Sequence, residues 1–89
     1  MALEPVVTEL YEVDGFFDKD AQGWCATVID IRQDGGRVSV REAFLENGSL
    51  RTEATKHGTV GQVEGDRVPL RFEDGSVAWF DLKTRRLER

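Results

Sequence analysis

Residues 23–45, GWCATVIDIRQDGGRVSVREAFL, decide the fold because two apolar stretches flank the turn signal DGG at 34–36. β-Branched residues alternate with polar ones on both sides, and an Asp-Gly dipeptide tolerates the positive φ of tight hairpins. A two-residue loop over the Asp-Gly pair predicts that Ile31 lies opposite Val38. Cys25 then falls on the same apolar face, where it is an inert core residue.

The second face of this hairpin is also apolar, unlike an ordinary antiparallel sheet with one solvated face. Its members are Trp24, Ala26, Val28, Ala43 and Leu45. Such a patch marks an interface unless the chain covers it, through barrel closure or through an N-terminal strand over residues 6–13. Trp24 would anchor the interface, because tryptophan is enriched at binding hot spots.

Alternation and turn residues extend the β pattern along the whole chain, and we find no repeat or linker. The sequence therefore predicts one all-β domain over 1–89, either a small antiparallel barrel or a strongly bent sheet of six to seven strands. The ends before about Pro5 and after about Arg85 are expected to fray. The predicted strands are 6–13, 23–33, 36–45, 49–56, 58–63, 67–73 and 76–82.

The Asn47-Gly48 turn allows two loop lengths. A two-residue loop puts Glu42 opposite Glu53, which is an unfavourable like-charge pair. A three-residue loop over 46–48 avoids this pair, and the sequence therefore favours it.

The last hairpin turns at Asp74-Gly75. Counting outward from this pair places Leu70 opposite Trp79, which predicts Trp79 in the core. Phe80 then points outward and joins the candidate surface. Pro69 cannot donate to a ladder, so it marks an edge strand or a gap in pairing.

The stretch 57–82, HGTVGQVEGDRVPLRFEDGSVAWFDL, resembles the later strands of a small SH3-like barrel of the Tudor, Agenet or KOW sort. The likeness lies in a Gly-Thr-Val strand, a Gly-Asp turn, an alternating V-x-L-x-F strand and an aromatic strand after Asp-Gly. A Tudor-like domain would bind methylated Lys or Arg in an aromatic cage. A KOW-like module would bind RNA or ribosomal and polymerase partners. The aromatic candidates for a cage are Tyr11, Phe16, Phe17, Trp24 and Phe80.

The net charge of −5 argues against sequence-independent nucleic-acid binding, which needs Lys and Arg to neutralise phosphates. Acidic residues crowd the first twenty positions, whereas Lys83, Arg85 and Arg86 make the end basic. Two readings stay open: the ends attract each other, or the tail contacts nucleic acid or an acidic partner. A single cysteine rules out an internal disulfide. With no signal peptide or membrane span, we expect a cytoplasmic protein.

No residue set predicts catalysis, a cofactor or a metal site. Cys25 and His57 are the only soft ligands and the only nucleophile–base pair, and His57 falls in a predicted turn. The start of a calcium loop at Asp18 has Ile29 where the bidentate Glu belongs.

We therefore expect a non-enzymatic binding module that acts through protein–protein contact, and a homodimer is one form of it. The alternative hypothesis is a nucleic-acid-associated accessory protein, or an acidic inhibitor that mimics nucleic acid, of phage or mobile-element type. A hydrolase or metal enzyme would require Cys25 or His57 to be exposed beside carboxylates.

Overall fold

The computed structural model describes residues 6–19 and 23–88, which form seven antiparallel strands and no helix. Each strand pairs with the next along the chain, and the sheet curls into a nearly closed barrel. This confirms the all-β prediction, and the shape is compatible with an SH3-like barrel. The strands are β1 (Glu9–Asp18), β2 (Gly23–Asp34), β3 (Arg37–Glu46), β4 (Ser49–Val60), β5 (Arg67–Phe72), β6 (Val77–Asp81) and β7 (Arg86–Glu88).

The core lies at one end of the molecule, where β5–β7 fold over the inner face of β2 and β3. It is built from aliphatic residues of β2 and β3, the alternating V-x-L-x-F residues of β5, and Ala78 and Phe80 of β6. Val7, just before β1, is fully buried in the same cluster. Burying these side chains supplies the main driving force for folding. They are Val7, Ile29, Ile31, Val38, Val40, Val68, Leu70, Phe72, Ala78 and Phe80.

The turn of the β2–β3 hairpin lies one residue later than the sequence predicts, which moves the partner of each β2 residue by two positions along β3. The turn residues are Gly35 and Gly36, so that Asp34 lies opposite Arg37 and Ile31 lies opposite Val40. Gly35 has a φ of +61°, which suits the first position of a type II′ turn. Because the shift is two residues, the side chains keep their predicted faces. Cys25 is buried, as predicted.

The β3–β4 hairpin has the two-residue Asn47-Gly48 turn, so the predicted three-residue loop is wrong. Both turn residues have positive φ, 53° and 83°, as a type I′ turn requires. The register then shifts between Phe44 and Leu45. This bulge places Glu42 opposite Ala54 instead of Glu53, and so removes the like-charge pair without a longer loop.

The last hairpin corrects the predicted positions of Trp79 and Phe80. Phe72 N–H donates to the Ser76 carbonyl at 2.9 Å, so the loop contains three residues ending in Gly75 at a φ of 88°. The odd-numbered loop slips the register by one residue and exchanges the two faces of β6. Phe80 is therefore fully buried, while Trp79 is only half-buried, under the Arg67 guanidinium at 4.8 Å.

β4 is one strand of 12 residues, and the predicted break at His57 does not occur. Only Gly58–Val60 of β4 pair with β5, whereas residues 49–57 have no strand partner on that side in the described chain. Strands β1–β4 therefore extend past β5–β7 as a four-stranded arm that ends at the Asn47-Gly48 turn. The molecule is elongated as a result, with extents of 49 × 24 × 23 Å.

The basic C-terminal segment closes the barrel. The Arg85 guanidinium donates to the carbonyls of Val6 and Thr8, both at 2.8 Å, and to Glu9 Oε2 at 3.1 Å. Leu87 N–H donates to Tyr11 Oη at 3.0 Å. Residues 86–88 of the tail form β7, and the fraying expected after Arg85 stays a prediction. The other predicted frayed end, before Pro5, lies outside the described residues.

This contact also explains a shifted pKa. The hydrogen bond from Arg85 holds the pKa of Glu9 below its ordinary 4.5, helped by the Leu10 backbone N–H. Attraction between the acidic start and the basic end, one of the two readings of the charge distribution, is therefore present in the structure.

Candidate interaction surface at the tip of the arm

Two apolar rows cross the outer face of the arm near its tip. In the first row Phe17 lies opposite Trp24, and in the second Ala26 lies opposite Leu45, which lies opposite Leu50. We call these five residues the tip patch. Directly opposed side chains are close enough to form a continuous surface across four strands.

The large side chains of the tip patch are open to solvent, whereas its Ala26 is buried. Phe17, Trp24 and Leu50 are 60%, 51% and 54% exposed, and Leu45 is half-buried. The N-terminal strand does not cover them, because β1 lies beside β2 in the same sheet. Apolar patches rimmed by polar residues are uncommon on monomers and usually mark interaction sites.

Trp24 is held by its neighbours across β1 and β3. A Cβ added at Gly15 would lie 2.8 Å from Trp24 Cζ2, so the indole rests on the backbone of β1 beside its bulge. The Trp24 carbonyl accepts a hydrogen bond from Asn47 N–H at 2.7 Å. A pre-positioned aromatic ring loses little conformational entropy on binding, which suits an anchor residue.

Polar groups surround the tip patch. Lys19 is exposed beyond Phe17, at the end of β1. The next row towards the barrel runs through Ala43 to Glu53. Glu53 forms an ion pair with Arg41 at 3.2 Å. The patch is therefore an apolar centre with a charged rim of both signs, as in protein–protein interfaces.

The structure brings together part of the surface that the sequence predicts. Trp24 is exposed, whereas Val28 is half-buried and Ala26 and Ala43 are buried on the outer face. Phe80, which the sequence predicts at the surface, lies in the core instead, because the last hairpin slips by one residue.

The sequence does not place Phe17 and Leu50 on this surface, although it offers Phe17 as a candidate for an aromatic cage. The first strand is predicted to end at residue 13, whereas β1 continues to Asp18 past a bulge. The predicted three-residue loop puts Leu50 opposite Phe44. The Asn-Gly pair itself, with its strong preference for a type I′ turn, was the signal that would have put Leu50 opposite Leu45.

The aromatic residues do not form a cage. Phe16 and Phe17 point to opposite faces of β1, and Phe80 is buried. Tyr11 packs on the inner face beneath the Arg86 guanidinium, 5.1 Å from its ring centre.

The tail residues contact their own protein. Lys83 pairs with Asp66 at 3.2 Å, Arg85 forms the contacts to residues 6–9 already described, and Arg86 lies over Tyr11. Asp81 accepts hydrogen bonds from the backbone N–H groups of Thr84 and Lys83, which lower its pKa. These contacts reduce the positive charge that the tail presents to a nucleic acid.

The two soft ligands are apart. Cys25 is buried on the inner face near the tip, and His57 is exposed on the outer face opposite Ser39. Within residues 6–19 and 23–88 no group of three or more His, Cys, Asp and Glu is placed to hold a metal ion. Residues 20–22 of the calcium-like stretch lie outside the described chain.

An apolar cavity of about 240 Å³ opens at the barrel mouth, between Ala54 and Lys56 of β4 and Val77 and Leu87 of the closing strands. It is smaller than the 300–1,000 Å³ typical of small-molecule sites. No helix of the described residues is long and apolar enough to cross a membrane.

Comparison with protein-family models, with curated proteins and with solved structures finds no match to this chain.

Proposed function

We propose that this protein is a non-enzymatic binding module that acts through protein–protein contact, and that the tip patch is its interface. The observation that carries the proposal is the exposure of Phe17, Trp24 and Leu50 side by side on one face. The likeness to Tudor, Agenet and KOW barrels agrees with a binding role. It does not extend to methyl-ligand recognition, since the aromatic residues are dispersed.

The size of the patch fits this role. Phe17, Trp24 and Leu50 are each half or more exposed and together present about 300 Å² of apolar surface. A stable interface buries about 800 Å² per partner, so the patch would form its centre and the charged rim its periphery. The isolated protein would then associate with a second copy through the same patch, because a two-fold contact lets one surface complement itself.

The test is Trp24→Ala, with Trp79→Ala as the matched control on the other half of the molecule. Light scattering at rising protein concentration measures self-association, and circular dichroism checks the fold. Trp24→Ala should abolish association and keep the β-type spectrum, while Trp79→Ala should still associate. If Trp24→Ala unfolds the protein, Trp24 is a core residue and the proposal fails.

A further inference from the structure

Two arginines of this acidic protein differ from the other described arginines in their lack of a carboxylate or aromatic partner among the described residues. Among the described arginines, six contact a carboxylate or an aromatic ring: Arg32, Arg41, Arg51, Arg67, Arg85 and Arg86. Arg37 and Arg71 are exposed, and neither makes an ion pair, a side-chain hydrogen bond or a ring contact with any described residue. Acidic residues outnumber Lys and Arg by 17 to 12, so two unneutralised guanidinium groups are unexpected.

These two arginines lie on either side of one threonine. Arg37 is directly opposite Thr59 on one edge of β4, and Arg71 is directly opposite Thr59 on the other. All three side chains therefore share the outer face, with the arginine Cα atoms about 10 Å apart, which is two strand spacings. Arginine side chains are long enough to span this distance, and all three residues line the same cavity.

The next row along β4 adds His57, opposite Ser39, on the same face. The two rows border a cavity of about 540 Å³, and Gly58, which lies between them, also lines it. A Cβ at Gly58 would collide with the Arg71 carbonyl, so glycine allows β5 to approach at this point. The cavity is therefore lined by guanidinium, hydroxyl and imidazole groups, all of which can donate hydrogen bonds to a ligand.

Two carboxylates lie near this cavity, but neither neutralises it. Asp34 is opposite Arg37 on the side away from Thr59, and Glu73 lies at the rim beside His57. Neither carboxylate is within 4.0 Å of a guanidinium nitrogen. The residues that line the cavity include two arginines and one glutamate, and Asp34 is not among them, so the lining has a net charge of +1.

We propose that the cavity bordered by Arg37, Thr59 and Arg71 binds a phosphate group, either as inorganic phosphate or at the end of a small phosphomonoester. A tetrahedral dianion takes charge-assisted hydrogen bonds from two guanidinium forks at once, and the threonine hydroxyl supplies a third donor. The site is distinct from the tip patch, which lies at the far end of β4.

A small ligand suits the site better than a nucleic-acid strand. Beside the cavity, Arg41 is already paired with Asp30 at 3.6 Å and with Glu53 at 3.2 Å. A strand needs a track of free cations for successive phosphates, and among the described residues this face offers only one such point.

The test is a titration of ¹⁵N-labelled protein with inorganic phosphate, followed by the amide resonances at constant ionic strength. A nucleoside monophosphate and a short single-stranded oligonucleotide form two further arms. We expect saturable shifts centred on residues 57–59 and 71–73 with phosphate and with the monophosphate. Tighter binding of the monophosphate would identify an ester as the ligand, and equal binding would identify the free anion.

Matched variants distinguish a specific phosphate site from nonspecific attraction by positive charge. Arg71→Gln and Arg37→Gln should each weaken phosphate binding about tenfold, and Thr59→Val should weaken it less. Arg32→Gln removes the same charge from the same face at a paired arginine and should leave binding unchanged. Glu73→Gln should strengthen it by removing a repelling carboxylate. Scattered or unsaturable shifts, an equal loss in Arg32→Gln, or tighter binding per phosphate of the oligonucleotide would overturn the proposal.

Discussion

At Trp24 the indole rests on Gly15, and this contact shows how one residue of β1 positions the centre of the tip patch. Gly15 is exposed and does not have a left-handed φ, so any side chain is tolerated by the backbone there. A side chain at Gly15 would first meet the Glu12 carboxylate, which can move into solvent, and then the Trp24 indole, so it would fill the space beneath the ring.

Gly15→Ala should displace the Trp24 ring without unfolding the protein, because the ring can swing into solvent. In a Trp79→Phe background Trp24 is the only tryptophan, so its fluorescence reports the change directly. We expect a red-shifted emission, weaker self-association and an unchanged circular dichroism spectrum. An unaltered emission would show that the indole does not rest on Gly15.

Phe80 and Trp79 test the corrected register of β6. Phe80→Ala empties a fully buried position and should lower the free energy of unfolding by about 3–5 kcal/mol. Trp79→Ala removes a half-buried ring on the outer face and should cost clearly less. Urea unfolding of the two variants measures the difference, and the reverse order would restore the register that the sequence predicts.

Among the strands, β2 and β3 show how far sequence reasoning reaches. Alternation fixed the faces of Cys25 and Trp24 correctly even though the loop was misplaced, since a slip of two residues preserves the faces. In β6 the same reasoning failed, because a three-residue loop slips the register by one and exchanges Trp79 with Phe80. The alternation of apolar and polar residues within a strand can be read from the sequence. The length of a loop depends in addition on which face of the following strand is buried against the rest of the protein.

The arm was predictable only in part for a related reason. Alternation indicates that residues 49–56 and 58–63 are extended, but it cannot show that β5 pairs with only three residues of β4. That short pairing leaves the arm uncovered and determines which apolar residues stay exposed. Phe17 lies beside Trp24 because of a bulge in β1, which has no strong sequence signal, whereas Leu50 lies opposite Leu45 because of the tight turn that Asn47-Gly48 favours.

The β3–β4 turn gives a prediction at this scale. Gly48 has a φ of 83°, which an L-residue adopts at a cost, so Gly48→Ala should lower the free energy of unfolding by about 1–2 kcal/mol. Gly36→Ala is the control, because Gly36 also lies in a hairpin turn but does not have a left-handed φ. Thermal unfolding of both variants checks this, and equal losses would exclude a type I′ turn at the tip.

For the whole molecule, the contact between the two ends of the chain determines how the barrel closes and how it responds to acid. The pKa of Glu9 is lowered by the Arg85 hydrogen bond, and the pKa of Asp74 is lowered to about 2, first by the Ser76 hydroxyl. A carboxylate with a lowered folded-state pKa stabilises the fold above its unfolded pKa and stops doing so as pH falls through the folded value. Stability should therefore decline below about pH 4.5.

Glu9→Gln should make that decline shallower, because the glutamine cannot lose a charge on acidification. It should also lower stability at pH 7, where the wild-type contact is intact. Glu64→Gln, at an exposed glutamate away from the closure, is the control and should keep the wild-type slope. Urea unfolding from pH 7 to pH 3 measures the slopes, and identical slopes for Glu9→Gln and wild type would contradict the role of this contact.

The tip patch and the closed barrel lie at opposite ends of an elongated molecule, so association can be measured without disturbing the core. The most direct measurement is acrylamide quenching of Trp24 in the Trp79→Phe protein over a concentration series, with the mass followed by light scattering. We expect a readily quenched, red-emitting Trp24 in the dilute monomer, and a shielded, blue-shifted Trp24 as the mass doubles. If Trp24 is already shielded in the monomer, or stays fully quenchable in the dimer, the tip patch is not the interface.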